Sequence, residues 1–213
     1  MSVSFDLDRA ARELYDAQGR RFDAITRTWT FVRSAEKGAH CEAIDAIAAA
    51  TWLMRESGHP LRTPIAVIGP REASAAQMRA ALRVGELLGD CGFFVISGGR
   101  GGVMHAVSEG VARVGGFTVG LLSGDDASEA NPFVNVAIAT GIGEARSAII
   151  ARAAFALIAL GHSFGTLYEM ALGRQFGKLV VGMEGAAEVD GVLHVNTAEE
   201  AVARIALEVL SAA

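Results

Sequence analysis

A glycine-bearing turn followed by a hydroxyl and a carboxylate supports two different kinds of chemistry. The run Ala153–Leu160 before it is apolar without interruption, which predicts a strand buried on both faces. In one interpretation, Gly161–Gly165 matches G-x-S-x-G, the turn that presents the nucleophile of a serine hydrolase. In the other, a helix begins near Thr166, and the amides of Gly165 and Thr166 hold a phosphate. Glu169 then lies one turn further along, facing the same ligand.

The serine-hydrolase interpretation requires an acid and a histidine after Ser163, in that order. Asp190 and His194 are the one pair that fits. They lie four residues apart near a short terminal strand, which leaves little chain to bring both of them to the turn. A catalytic triad works only when its three groups meet in space, so this hypothesis is the minor one. Otherwise Ser163 is a small residue that lets the loop approach a phosphate.

A second glycine-rich loop follows an earlier apolar run and precedes a helical pattern. Glycines allow close approach of the backbone to a ligand and let its N–H groups point at an anion. The spacing does not match G-x-G-x-x-G, so a dinucleotide fingerprint is not indicated. The loop instead predicts binding of a nucleotide or a sugar phosphate, by residues Gly98, Gly99, Arg100, Gly101 and Gly102.

Charged residues beside the predicted strand ends have different expected roles. Arg146 follows the Gly141–Gly143 loop at the start of a helix, which places it near the candidate site. Asp125, Asp126 and Glu129 are expected to form a solvated acidic loop rather than a metal site. No set of His, Cys and carboxylate residues has zinc spacing, and we predict no metal.

From Pro64 onward, short apolar segments alternate with helical patterns. This alternation predicts an α/β fold with a doubly wound, mostly parallel, Rossmann-like sheet and helices on both faces. Ligands of such sheets bind at the carboxyl ends of the strands. A helix through Met78 and Leu88 is expected to end at Gly89, and a capping box at Thr197–Glu200 to start the final helix. The predicted strands are Ile65–Ile68, Phe93–Ile96, Phe117–Leu122, Val134–Ile138, Phe155–Leu160 and Leu179–Met183.

The first part of the chain lacks this alternation. We divide the sequence into an N-terminal appendage, residues 1–60, and a nucleotide-binding domain, residues 61–213. Within the appendage, a hairpin or a broken helix is expected around Gly19. A helix is expected over Glu42–Met54, because Ile44, Ile47 and Trp52 fall on one side.

The composition argues against several classes of protein. The net charge is −5 and no run of basic residues exceeds a pair, which speaks against binding to nucleic acid. Asp45 and Arg152 interrupt the longest apolar stretches, so no membrane span is expected. With no visible signal segment, we expect a cytoplasmic protein in which Cys41 and Cys91 are free thiols.

Taken together, these residues resemble the family of LOG-type nucleotide phosphoribohydrolases and its close branch of molybdenum-cofactor carrier proteins. The resemblance covers about residues 64–183, including the loop at Gly69, the Gly98–Met104 loop and the Asn131-Pro132 segment. Arg146 and Glu169 match the family's catalytic pair, 23 positions apart (169 − 146).

This resemblance implies a homodimer that binds a nucleoside 5′-monophosphate or a similar phosphorylated ligand. If the chain is an enzyme, it is a nucleotide phosphoribohydrolase that releases base and ribose 5-phosphate, with Arg146 and Glu169 as catalytic residues. The alternative is a non-catalytic carrier of a phosphorylated cofactor such as the molybdenum cofactor. No cofactor is required for hydrolysis, and the bound ligand is a nucleotide or a molybdopterin-type molecule. The family's Pro-Gly-Gly is replaced by Gly161-His162-Ser163 and its Arg-Lys by Arg146-Ser147. The Arg146-Ser147 pair and the Gly-Gly-Arg-Gly-Gly loop are more similar to the carrier-type or an uncharacterised branch.

The family was once labelled as lysine decarboxylases, and that activity does not fit this chain. A pyridoxal enzyme needs a lysine that forms a Schiff base. Lys37 and Lys178 are the two lysines, and neither lies in a glycine-rich loop at a strand end.

Overall fold

The protein is described by a computed structural model covering residues 3–32 and 41–211, and its contacts divide the chain into two compact units. One unit combines Met1–Leu61 with Ala203–Ala213, and the other is Arg62–Val202. Lys37 lies outside the described residues. No helix in the described part of the chain is long and apolar enough to cross a membrane.

The first unit contains a five-stranded antiparallel sheet with the order β4-β3-β2-β1-β5. A hairpin, not a broken helix, surrounds Gly19, which has a φ of +74° and donates its amide to the carbonyl of Asp16. Alternate side chains such as Leu7, Leu14 and Phe22 are buried. The strands are β1 (Ser4–Asp8), β2 (Glu13–Asp16), β3 (Arg20–Asp23), β4 (Thr28–Phe31) and β5 (Glu42–Asp45).

The helix predicted over Glu42–Met54 begins four residues later than expected. The first four residues of the predicted helix, Glu42–Asp45, instead form strand β5, in which Ala43 pairs with Asp6 of β1. Asp45 then caps helix α1 (Ala46–Arg55), because its side chain accepts a hydrogen bond from the amide of Ala48. Pairing with a neighbouring strand thus outweighs the local helical pattern.

The second unit is built on a seven-stranded sheet in which every neighbouring pair is parallel, with the order β12-β11-β10-β6-β7-β8-β9. This is the doubly wound, Rossmann-like fold that the sequence predicts. The fourth predicted strand, Val134–Ile138, begins two residues later than expected, at Val136, because the amide of Val134 donates to the carbonyl of Asn131 in a turn. The strands are β6 (Ile65–Ile68), β7 (Phe94–Ser97), β8 (Phe117–Leu122), β9 (Val136–Ala139), β10 (Ala156–Leu160), β11 (Leu179–Met183) and β12 (Leu193–His194).

Two pairs of helices cover this sheet. Crossovers between parallel strands are right-handed, and the chain moves outward from β6 first in one direction and then, from β10, in the other. The first pair and the second pair therefore lie on opposite faces. The pairs are α2 (Ala75–Cys91) with α3 (Val103–Arg113), and α4 (Arg146–Ala153) with α5 (Phe164–Gln175).

Glycines allow α2 and α3 to pack at close range. A Cβ on Gly85 would overlap the carbonyl of Val107, and one on Gly110 would overlap the carbonyl of Leu82. Helix α2 also extends past Gly89, the predicted end, which is buried within it. The helix ends instead at Gly92, which adopts the left-handed conformation (φ +92°) that favours glycine.

The last helix, α6 (Ala198–Ser211), belongs partly to each unit, because the division falls between Val202 and Ala203. It begins after Thr197, whose hydroxyl accepts the amide of Glu200 as the capping box predicts. Within the first unit, the indole N–H of Trp29 donates to the carbonyl of Leu210 at 2.6 Å.

Candidate ligand-binding site

The candidate site is a cavity of about 140 Å³ at the carboxyl ends of the parallel strands. Strands β6 and β10 are neighbours there, and the chain order reverses between them. Such a switch point is where ligands of open α/β sheets bind. The lining comes from the end of β6, from the loops after β6, β7 and β10, from the turn before α4 and from the N-terminal parts of α3, α4 and α5: Ile68, Gly69, Pro70, Arg71, Gly98, Met104, Glu144, Arg146, Ser147, Ser163, Gly165, Thr166 and Glu169.

The turn after β10 ends in a capped helix. Helix α5 begins at Phe164, two residues before the predicted start. The side chain of Ser163 accepts the amide of Thr166 at 3.1 Å, and its Oγ lies 2.8 Å from the Thr166 hydroxyl. The expected phosphate donor at Thr166 is therefore engaged by the cap. The amides of Phe164 and Gly165 precede it in the first turn, where no intrahelical acceptor exists.

A buried ion pair lies inside the cavity. Arg146 Nη1 donates to Glu169 Oε1 at 3.1 Å, and both side chains are about nine-tenths buried, with exposed fractions of 11% and 9%. Burial raises the pKa of Glu169 above its ordinary value, although the Arg146 charge and a hydrogen bond from Ser147 act in the opposite direction. Glu144 adds to the rise in this pKa by like-charge repulsion.

The position of Arg146 depends on a glycine in the loop after β7. A Cβ on Gly98 would lie 2.8 Å from Arg146 Nη2 and 2.7 Å from Met104 Sδ. The guanidinium can therefore occupy this position because residue 98 has no side chain. Its Nε is buried and has no hydrogen-bond partner among the residues that the structure describes. A buried donor of this kind is available to an anion.

Three more of the predicted glycines, Gly69, Gly99 and Gly102, permit close backbone contact, and Gly69 also lines the cavity. A Cβ on Gly69 would meet Leu160 O at 2.7 Å, one on Gly99 would meet the Cα of Gly120 at 2.9 Å, and one on Gly102 would overlap the carbonyl of Arg71. These positions permit close backbone contact. The remaining two loop residues, Arg100 and Gly101, line a second cavity together with Arg71 and Glu129.

Arg71 lines both cavities and was not predicted from the sequence. Glu144, Pro70 and Ser147 are further lining residues that were not predicted as ligand contacts. One sequence signal pointed to Arg71: it is a cationic residue three positions after the end of the apolar strand Ile65–Ile68. Its nearness to the loop after β7 depends on strand order, which local patterns do not contain.

The groups invoked by the other interpretations have different neighbours. Within the described residues, the Ser163 side chain hydrogen-bonds to the hydroxyl and the amide of Thr166. His194 Nε2 lies 3.4 Å from Glu188 Oε2, and the Asp190 carbonyl accepts a hydrogen bond from Arg174.

The acidic loop and the remaining lysine also have local partners. Glu129 pairs with Arg100, and Asp126 accepts the amide of Ser128. Lys178 directly precedes β11, and its carbonyl accepts from Arg174. Residues 3–32 and 41–211 contain no group of three His, Cys, Asp or Glu side chains arranged to hold a metal ion.

The sequence model of the SLOG cluster4 family matches residues 62–209, which include the whole cavity. The chain belongs to this family. The match agrees with the resemblance carried by the glycine loop, Arg146 and Glu169. Among curated proteins, an uncharacterized protein of Archaeoglobus fulgidus is 38% identical over 138 residues, covering 65% of this chain and 91% of that protein.

Two solved structures that are similar to this SLOG cluster4 chain are of proteins that are named for the molybdenum cofactor. The molybdenum cofactor binding protein of the phototrophic bacterium Rippkaea orientalis is 29% identical, with a TM-score of 0.64 over 68% of this chain and 96% of that chain. The molybdenum cofactor carrier protein of Chlamydomonas reinhardtii is 30% identical, with a TM-score of 0.64 over 71% of this chain and 100% of that chain.

Proposed function

We propose that this chain binds a phosphorylated ligand at the β6–β10 switch point and acts as a carrier of a phosphorylated pterin-type cofactor such as the molybdenum cofactor. The observation that carries the proposal is the buried guanidinium of Arg146. Its Nε has no partner among the described residues, and it lines the same cavity as the first turn of α5. A phosphate would accept from this Nε and from the amides of Phe164 and Gly165.

The charges of the site suit retention of a ligand. Glu169 holds one nitrogen of Arg146, which fixes the plane of the guanidinium while its Nε stays available. An arginine held in one orientation loses less entropy when it binds a phosphate. The two relatives named above support the carrier role, because both are described by the molybdenum cofactor.

Analysis of the ligand that co-purifies is the direct test of carriage. Protein purified without added ligand should release a phosphorylated pterin on denaturation, detected by fluorescence after oxidation and by mass spectrometry. Release of no phosphorylated compound, together with no binding of AMP, GMP or a pterin phosphate by calorimetry, would exclude the proposal.

The contribution of Arg146 can be measured with a matched control. Arg146→Met should weaken binding of the phosphorylated ligand by about 1.5–3 kcal/mol, the range for a hydrogen bond to a charged group. Arg113→Met is the control, because Arg113 pairs with Glu86 and Glu109 on the exposed side of α3. Equal affinities of the two variants would argue against a phosphate at Arg146.

Hydrolysis of a nucleoside 5′-monophosphate is the second candidate, favoured by the carboxyl group of Glu169 in the cavity wall. Cleavage of an N-glycosidic bond develops positive charge on the ribose, which a carboxylate can stabilise. Glu169 would do this while Arg146 positions the ligand. The test is release of free base and ribose 5-phosphate from AMP and GMP, with Glu169→Gln as the variant that should lose turnover and keep ligand affinity. Wild-type protein that releases no base from any purine or pyrimidine monophosphate would leave the carrier role alone.

A further inference from the structure

A second cavity, of about 290 Å³, adjoins the candidate phosphate site. It is lined by Arg71, Arg100, Gly101 and Glu129, and Arg71 also lines the first cavity. Two arginines therefore face this space, one of which is shared. Arg71 is the residue that the two cavities have in common, so a ligand group at the second cavity would lie beside the first.

Arg100 lines this cavity, and one of its hydrogen-bond donors has no partner among the described residues. Its side chain is 22% exposed, and its Nη2 donates to Glu129 Oε2. Its Nε is buried and has no partner within residues 3–32 and 41–211. Glu129 is the more exposed partner, with 45% of its side chain open to solvent, so it can move away from Arg100 without disturbing a packed core.

The backbone around Arg100 is fixed before any ligand binds. The buried side chain of Asn131 donates from Nδ2 to the carbonyls of Gly99 and Arg100, both at 3.1 Å. The backbone N–H of Asn131 also donates to the carbonyl of Gly99, at 2.8 Å. Next to Arg100, Gly101 leaves open space, because a Cβ there would meet only Arg71 Cγ at 3.7 Å. A fixed cation beside open space is suited to receive an anion.

We infer that the Arg71–Arg100 cavity is a second anion subsite, so that the ligand of this chain carries a diphosphate or another second anionic group. This inference rests on the proposed binding of a phosphorylated ligand at Arg146. One phosphate lies at Arg146 and the start of α5, and the second lies between Arg71 and Arg100. Glu129 occupies Arg100 in the free protein and is displaced by that second group. Arg100 is thus a specificity-determining residue that separates diphosphates from monophosphates.

Calorimetry with AMP, ADP and pyrophosphate tests the subsite on the full chain. Wild-type protein should bind ADP on the order of tenfold more tightly than AMP, as expected for one charge-assisted hydrogen bond. Arg100→Met should abolish that difference, so that ADP and AMP bind with equal affinity, and its circular dichroism spectrum should match that of wild type. Glu129→Gln should increase the preference for ADP, because it removes the internal competitor. Arg113→Met is the control for loss of one positive charge.

The outcomes separate this inference from the proposed function. If AMP binds but the ratio of ADP to AMP affinity is the same in wild type, Arg100→Met and Glu129→Gln, the second subsite is wrong and the phosphate site stands. If pyrophosphate binds in a manner that requires Arg100 while AMP does not bind, the subsite stands and a phosphate at Arg146 is ruled out for nucleotides. If none of the three compounds binds, the second subsite is wrong, and the co-purification test decides the proposed function on its own.

Discussion

The carboxyl group of Glu169 is buried away from solvent and pairs with one cationic side chain, that of Arg146. The Glu169 side chain is 9% exposed, and Arg146 is the charged group that compensates for this burial. Burial is nevertheless the larger influence, so the pKa of Glu169 is raised. The protonation of this single residue therefore connects the chemistry of the site with the stability of the protein.

A pH dependence of stability follows from the raised pKa of Glu169. The folded protein binds this proton more tightly than the unfolded chain does, so the unfolding free energy falls as pH rises from about 4.3, the ordinary value, through the raised pKa. Glu169→Gln should remove this decline. Urea unfolding of both proteins across this range measures it.

The control for that experiment is Glu199→Gln. A hydrogen bond from Arg83 lowers the pKa of Glu199, so its contribution to stability is present above the ordinary pKa and is lost as pH falls. Its replacement should change the pH profile in the opposite direction. Identical profiles for wild type and Glu169→Gln would show that Glu169 does not titrate differently in the folded protein.

Ser163 is expected to act through the helix that it caps. Ser163→Ala removes the acceptor for the Thr166 amide, and we expect the unfolding free energy to fall by about 1 kcal/mol, as for other N-cap losses. A fluorophosphonate probe should not label the wild-type protein, because the Ser163 side chain hydrogen-bonds to Thr166 and serves as a helix cap. Covalent labelling at Ser163 would instead support the serine-hydrolase hypothesis.

The packing of helix α2 against helix α3 depends on two glycines, Gly85 and Gly110, at which the backbones approach closely. Gly110→Ala should destabilise the protein by roughly 1–3 kcal/mol, because the new methyl group would overlap the carbonyl of Leu82. Gly165→Ala is the matched control, because its Cβ would meet only Ser163 Oγ at 3.8 Å. That control should be neutral or stabilising by up to about 1 kcal/mol, the helix-propensity difference. Thermal and urea unfolding of the two variants compare them, and equal destabilisation would contradict the packing explanation.

The elements differ in how far the sequence could predict them. Strands such as Ile65–Ile68 and Leu179–Met183 have the predicted bounds, because strands buried on both faces are apolar throughout. The five-stranded sheet was not predicted, since its strands have only four or five residues and include exposed charged ones such as Arg21.

Some residues of the candidate site were predicted from the sequence, and some of its contacts were not. The resemblance to the LOG-type family selected Arg146 and Glu169 together, and the structure brings these two residues within hydrogen-bond distance. The dependence of Arg146 on Gly98 and the placement of Arg71 arise from contacts between loops of different strands. Because those contacts depend on strand order, a local pattern could not predict them.

At the scale of the whole molecule, the expected homodimer remains a prediction. Ile149 of α4 and Phe164 and Tyr168 of α5 expose 44%, 89% and 46% of their surfaces, and the two helices pack side by side. Exposed apolar residues grouped in this way are typical of an interface. Light scattering of the purified protein should give the mass of two chains, and Ile149→Arg should give the mass of one. Ile25→Arg is the control, because Ile25 is 72% exposed in the other unit. A monomeric wild type would rule the dimer out.

The division of α6 between the two units has a consequence for synthesis on the ribosome. Residues 3–32 and 41–61 leave the ribosome first, yet the unit that they form includes residues from Ala203 onward. The contact from Trp29 to Leu210 spans 181 positions. Until those later residues emerge, the five-stranded sheet has α1 beside it but lacks the last part of α6, while residues 62–202 already contain every strand of their own sheet. The unit translated first is therefore the one completed last, and the surface that contacts the end of α6 stays exposed until translation ends.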